Sequence, residues 1–198
     1  ISNFFQSRTY KDAFQHASPE VLRRSASGGA FTALAEAFFA GQRKARVYGA
    51  AFRKGEVFHR SVDDPGELSL LSDSKYLESD LRGCFRKIRE QLARGESVLF
   101  SGTPCQVDGL KASLSDLPKE ITDRQLLLVE IICNGTGSPL VWKKNWEYLK
   151  EQEPSPVEDY SFRDKREPMG SGVSWRMEDG SERREFILNN FYWRLYIS

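Results

Sequence analysis

The stretch 126–132 is apolar at every position except Glu130. A strand with no polar face cannot turn one side to water, so it has to be covered on both. Parallel sheets flanked by helices provide that cover. A shorter apolar run, Val98-Leu99-Phe100, leads into Ser101-Gly102-Thr103-Pro104-Cys105 and then into a helical pattern over 106–114. Strand, tight glycine loop and helix is the repeating unit of α/β sheets. These two runs predict an α/β fold with a mixed, largely parallel sheet flanked by helices.

The rest of the chain fits around that sheet. Residues 1–24 are polar, dotted with aromatics and irregular. Ser25-Ala26-Ser27-Gly28-Gly29 opens a helix whose apolar face is Phe31, Leu34, Ala35 and Phe38, with Ser27 as the expected N-cap. Strands are expected at 47–52 and 57–62 around Lys54-Gly55, and a turn-rich stretch with room for a short helix at 63–73. A helix over 79–94 carries Cys84 on its apolar stripe, where cysteine behaves as a small hydrophobe. A charged connector fills 116–125. A helix over 139–150 aligns Trp142, Trp146 and Leu149. After Pro154-Ser155-Pro156 the pattern turns to strands, at 157–162 and as a hairpin, 171–177 with 183–188, around Asp179-Gly180. The expected division is an α/β core over 1–150 and a smaller strand-rich C-terminal extension over 151–198.

Composition narrows the function classes. Lys+Arg is 29 and Asp+Glu is 28, a net charge of +1, which gives no broad attraction to nucleic acid or to an anionic membrane. No apolar run approaches the roughly 18 residues of a spanning helix. Three cysteines are too few for a disulfide framework, so reduced thiols and a cytoplasmic setting are expected. The opening Ile1-Ser2-Asn3 has no initiator Met, and an excerpt of a longer chain is expected.

Three places carry chemistry. Arg23-Arg24-Ser25-Ala26-Ser27-Gly28-Gly29 combines small residues, hydroxyls and arginines at a helix start; on local pattern alone it reads first as an ordinary capped helix and second as an anion site, where small residues would let the backbone approach a ligand. Cys105 opens a helix after the Gly102 loop, where the helix dipole favours thiolate, the form that attacks electrophiles and binds soft metals. Cys133 also follows a buried strand. If the two strands run parallel, both sulfurs lie at one edge of the sheet, although two ligands do not complete a metal centre. Glu130 sits near the end of its strand, where it could face the same site. Ser74-Lys75-Tyr76 next to a turn can hold a phosphate or a ring. His16 and His59 stand in polar contexts, with solvent exposure expected. Arg163-Asp164-Lys165-Arg166, mixed in sign, reads as a solvated turn.

Taken in order, these pieces resemble the beta subunits of the coenzyme F420-reducing hydrogenases and dehydrogenases and their bacterial relatives, including hydroxymethyl-chlorophyll reductase. The stretches that carry the resemblance are Ser25-Ala26-Ser27-Gly28-Gly29-Ala30-Phe31-Thr32, Val47-Tyr48-Gly49-Ala50-Ala51-Phe52, Ser74-Lys75-Tyr76-Leu77-Glu78-Ser79-Asp80-Leu81 and 98–106 with its Gly102-Thr103-Pro104-Cys105. Ile132-Cys133-Asn134-Gly135, Ser138-Pro139-Leu140-Val141-Trp142 and Phe162-Arg163-Asp164-Lys165-Arg166 follow. The resemblance spans roughly residues 20 to 195.

It implies an iron–sulfur flavoprotein oxidoreductase binding FAD and a [4Fe–4S] cluster. Electrons would pass between a ferredoxin-like domain or subunit and a small-molecule acceptor. Cys105 and Cys133 match the family's cluster ligands. The remaining ligands are expected from a Cys-x-x-Cys stretch beyond Ser198. Ser27, Gly28, Gly29 and Thr32 would lie near the flavin or its pyrophosphate. Ser74, Lys75 and Tyr76 would line the flavin or acceptor side, and Thr103 would back the ring. No side chain stands out as an acid or base. Three departures from the family pattern stand out: Ala26 for a serine, Asp73 for a glycine, and Asn134 for a histidine, with Thr136-Gly137 then replacing Val-Pro. The rival reading is a non-redox α/β transferase or assembly module that binds a nucleotide or another anion at the same glycine loops.

Overall fold

The computed structural model describes residues 14–166 and 172–196. Its elements are α1 (Pro19–Arg24), α2 (Ala30–Gly41), β1 (Ala45–Arg53), β2 (Glu56–Val62), a 3-10 turn (Pro65–Leu70), α3 (Cys84–Ala93), β3 (Ser97–Gly102), α4 (Pro104–Ser113), α5 (Lys119–Gln125), β4 (Leu126–Glu130), α6 (Pro139–Gln152), β5 (Val157–Asp164), β6 (Gly172–Met177), β7 (Glu182–Phe186) and α7 (Phe191–Tyr196). The first sheet has the order β2-β1-β3-β4. Only the β1–β2 hairpin is antiparallel; β1–β3 and β3–β4 are parallel.

The hairpin turns through Lys54 and Gly55, both at positive φ (50° and 87°), as a tight turn between right-twisted strands demands. Gly55 is needed for a second reason: a Cβ there would lie 2.5 Å from Trp146 Nε1. The Gly55 carbonyl accepts from Trp142 Nε1 at 2.7 Å, so this turn seats α6.

β3 is buried along its whole length. Its alternate side chains divide between two cores, as a pleated strand requires. Val98 and Phe100 pack with Ile88 and Leu92 of α3 and Leu110 of α4. Leu99 packs on the other face with Ala35 of α2, Leu68 and Leu71. The 126–132 run behaves differently from the expectation of cover on both faces. It is the edge strand, only half-buried, and it stops at Glu130; Ile132 is 95% exposed. A missing polar face marked it as a sheet strand, but an edge strand has one neighbour rather than two.

The second sheet is antiparallel, β5-β6-β7. α6 lays Trp142, Trp146 and Leu149 against its Tyr160, Phe162 and Val173. Phe52 of β1 joins the two sheets, packing edge-on against Trp142, Trp146 and Phe162.

Other expectations change in detail. Residues 19–24 form a helix rather than irregular chain, and 119–125 form one where a connector was expected. The expected helix over 79–94 begins at Cys84, since Arg82 and Gly83 adopt positive φ just before it. The N-cap of α2 is Gly29, not Ser27. The 191–196 segment is a helix that buries Tyr192 and Trp193 and leaves Phe191 exposed. Residues 1–13, and Ser171 at the start of the expected hairpin, lie outside the described residues.

Candidate functional site

The parallel β3–β4 ladder pairs Gly102 with Glu130. Cys105 is the third residue after Gly102 and Cys133 the third after Glu130. The two thiols therefore leave the sheet at the same carboxyl edge and the same level, and both are exposed. Cys105 sits in the first turn of α4, and its Sγ lies 3.2 Å from the Thr103 hydroxyl. Cys133 is in a loop, where its sulfur accepts from the Gly135 N–H at 3.4 Å. Glu130, at the strand end, is exposed. Cys84 is different in kind. It is buried, its Sγ lies 3.6 Å from the His59 carbonyl, and burial pushes its thiol up to about 11.

The turn that carries Cys105 is held from behind by polar groups, the half-buried Gln106 and the buried Ser79 and His59. The Thr103 N–H donates to Gln106 Oε1 at 3.1 Å, and Gln106 Nε2 donates to Ser79 Oγ at 3.0 Å. Ser79 Oγ lies 2.7 Å from His59 Nδ1, and His59 Nε2 lies 2.9 Å from the Ser101 carbonyl. A carbonyl can only accept, so Nε2 carries the imidazole proton and Nδ1 accepts from Ser79. His59 is 4% exposed and stacks on Phe100, contrary to the expected solvent exposure. Burial holds its pKa below the ordinary histidine range. The sequence hid this because the polar neighbours of His59 in the chain point elsewhere, while its partners are far off in sequence.

The Ser27-Gly28-Gly29 loop lies between α1 and α2. Gly28 has no room for a Cβ, which would sit 2.3 Å from the Phe14 carbonyl oxygen, and the Gly28 carbonyl accepts from the His16 N–H at 2.8 Å. The space on the Cβ side of Gly28 is thus filled by the chain itself. Gly29 holds φ 78°. Ser27 is exposed, and Thr32 is buried inside the first turn of α2. Lys165 reaches this loop, donating to the Ser27 carbonyl at 2.5 Å and the Leu22 carbonyl at 3.3 Å. Carbonyls hold an ammonium without neutralising it. Arg23, Ser27, Gly28, Lys165 and Arg166 line an open cleft of about 800 Å³. The 163–166 stretch is thus more than a solvated turn. Asp164 is 5% exposed, and Arg166 bonds both its carboxylate oxygens and Glu182.

Ser74, Lys75 and Tyr76 lie between the two sheets. Asp73, which the resemblance marks as a departure from glycine, has φ 71°. Aspartate tolerates this left-handed region better than most residues. Its carboxylate accepts from the Ser74 N–H at 2.8 Å and from the Ser161 hydroxyl at 2.6 Å. Lys75 Nζ donates to the Ser72 carbonyl and, at 3.2 Å, to the Asp73 carbonyl. Desolvation brings its pKa down to about 8 despite the nearby Asp73. Tyr76 stacks edge-on with Trp193 at 4.5 Å and lines a second cleft, of about 560 Å³, with the 134–138 loop, Tyr192 and Tyr196. Tyr196 OH donates to the Gly135 carbonyl at 3.3 Å, so this cleft borders the Cys133 loop.

The donor sets can be tested against the groups the resemblance implies. A [4Fe–4S] cluster is held by four cysteine thiolates. The chain has three cysteines, and Cys84 is buried with a raised pKa. Among the described residues no three His, Cys, Asp or Glu side chains gather to hold a metal. The residues present do not complete a cluster site; they offer two exposed thiols at one sheet edge. The cleft at Ser27 fares better. Its cations and hydroxyl suit a phosphate-bearing group.

Residues 95–188 match the family model for the C terminus of the coenzyme F420 hydrogenase/dehydrogenase beta subunit. That stretch, just under half of the chain, is similar to this family. The matched part holds both exposed cysteines, β3, β4, α6 and the second sheet. By its description, the family is one of hydrogenase and dehydrogenase subunits. Among solved structures, it is similar in fold to a chain of the xenon-derivatised F420-reducing [NiFe] hydrogenase complex from Methanosarcina barkeri. The identity is 14% and the TM-score 0.52, over 89% of this chain and 60% of that one. The chain thus spans about 60% of the length of that relative. No curated protein shows a significant sequence match. No helix among the described residues is long and apolar enough to cross a membrane.

Proposed function

We propose that this chain is the cofactor-binding part of an iron–sulfur flavoprotein oxidoreductase, passing electrons between a ferredoxin-type donor and a small organic acceptor. The observation that supports it most is the common level of Cys105 and Cys133 at the carboxyl edge of the parallel sheet. This is the edge where α/β folds place their ligands. In this reading the two thiolates are half of a cluster's ligand set, and the other half comes from another segment or chain.

Ser27, Gly28 and Gly29, with Arg23 and Lys165 beside them, would hold the pyrophosphate of FAD, and Thr32 would support that turn from inside α2. Ser74, Lys75 and Tyr76 would line the flavin or acceptor side, and Thr103 would back the ring. A bound flavin supplies the exchange between single-electron and paired-electron chemistry. The chain's own residues bind and orient. Residues 1–150 act as the cofactor core and 151–198 as an extension whose Lys165 braces the Ser27 loop. The setting is the cytoplasm.

The test is an anaerobic visible spectrum of the full-length protein, with iron and flavin assayed on the same sample. Flavin bands over a broad iron–sulfur shoulder, bleached on reduction, are expected. A folded, colourless protein free of iron and flavin would overturn the reading in favour of a non-redox anion-binding domain.

A further inference from the structure

The hydrogen bonds behind Cys105 form a nearly closed circuit. It starts at the Thr103 N–H, passes through Gln106, Ser79 and His59, and ends at the Ser101 carbonyl. Start and end lie on the same turn, two residues apart, and Gly102 is all that separates them. Both ends have fixed polarity, since an N–H only donates and a carbonyl only accepts. With the buried His59 ring neutral, every link between them takes one direction. Gln106 must present its oxygen to Thr103 and its amide NH2 to Ser79. His59 carries a proton on Nε2, and because burial favours its neutral form, Nδ1 accepts from Ser79.

The two side chains that close the circuit come from other parts of the chain. His59 is on β2, which lies beyond β1 from β3 in the sheet. It is kept in register by its own N–H donating to the Asp80 carbonyl at 2.8 Å. Ser79 is 8% exposed in the segment before α3. Their side-chain hydrogen bonds go to Gln106, to each other and to the Ser101 carbonyl, whereas Cys105 Sγ lies against the Thr103 hydroxyl. Buried polar groups that are all satisfied fix one conformation, because any other leaves one of them unpaired.

We infer that His59 and Ser79 are positioning residues for Cys105: their hydrogen bonds lock the Ser101-Gly102-Thr103 turn and so set where the thiol emerges beside the Thr103 hydroxyl. The importance of that position rests on the proposed ligand role of Cys105; the locking of the turn does not.

Thiol labelling tests it in the full-length protein. Any bound iron is first chelated anaerobically, the thiols are kept reduced, and limited alkylation by iodoacetamide is read by peptide mass spectrometry. The readout is the Cys105-to-Cys133 ratio, and unlabelled Cys84 certifies an intact fold. Ser79→Ala breaks the circuit at two bonds. Freed from its turn, Cys105 is expected to gain about fivefold on Cys133, the factor carried by one net hydrogen bond. Ser79→Thr keeps the hydroxyl and should return the ratio to within about twofold of wild type. An unchanged ratio in Ser79→Ala, with Cys84 still unlabelled, overturns the inference. Should Ser79→Ala fail to fold, the imidazole nitrogen spectrum of the wild type decides: a neutral Nε2–H tautomer at His59 is required, and an Nδ1–H tautomer contradicts the circuit. Lack of iron in the wild type as isolated would remove the cluster reading alone and leave the labelling test standing.

Discussion

Gly102 and Glu130 face each other across the parallel β3–β4 ladder, and the third residue after each is a cysteine. That single register relation brings together two thiols from distant parts of the chain. It depends on strand direction, since antiparallel strands would send the two cysteines to opposite ends of the sheet.

Gly28→Ala should destabilise the fold. The added Cβ would lie 2.3 Å from the Phe14 carbonyl oxygen, a backbone atom that cannot swing aside. A cost of about 1–3 kcal/mol is expected, as for an overpacked core. Gly41→Ala at the end of α2, with nothing within 4 Å, should move stability by no more than about 0.5 kcal/mol. Urea midpoints of the two variants check this, and equal midpoints would contradict it.

Asp73 combines a strained backbone with two hydrogen bonds. Asp73→Gly loses the bonds but relieves the left-handed strain, whereas Asp73→Ala loses the bonds and keeps the strain. The alanine variant should be less stable than the glycine variant by about 1 kcal/mol. Thermal or chemical unfolding of the pair settles the order.

His59 gives the fold a sensitivity to acid. Its pKa in the folded chain lies below the value of about 6.5 that it takes when unfolded. Unfolding therefore takes up a proton between those two values, and stability falls as pH drops below about 6.5. His59→Gln removes this contribution. The difference in unfolding free energy between wild type and variant should be largest near neutral pH and shrink on acidification. A difference that stays constant from pH 7 to pH 5 would show that His59 is not buried and neutral.

Much of the layout was legible from the chain. The apolar runs at 98–100 and 126–132 announced a parallel sheet, and the glycine loop after Phe100 announced the turn at its carboxyl edge, because burial and tight turns leave local signatures. What stayed hidden is long-range. His59 looks like a surface histidine until β2 is folded beside Ser79 and the Ser101 turn. Lys165 looks like part of a charged turn until the second sheet brings it to the Ser27 carbonyl. The half-exposure of β4 follows from sheet order, which a single strand's pattern does not encode. The close approach of the Phe14 carbonyl to Gly28 is also long-range, and local pattern did not reveal it. The positive φ at 73, a conformation that glycine favours and aspartate tolerates, is likewise invisible in the local pattern.

The most direct test of the central claim is the iron content of three serine variants of the full-length protein, isolated anaerobically and read together with their visible absorbance. Cys105→Ser and Cys133→Ser should each lose the iron and its broad absorbance, because each removes a thiolate from the shared sheet edge. Cys84→Ser should keep both, since that thiol is buried in the α3 core. Equal iron in all three would contradict the pairing of Cys105 with Cys133 as the site's ligands.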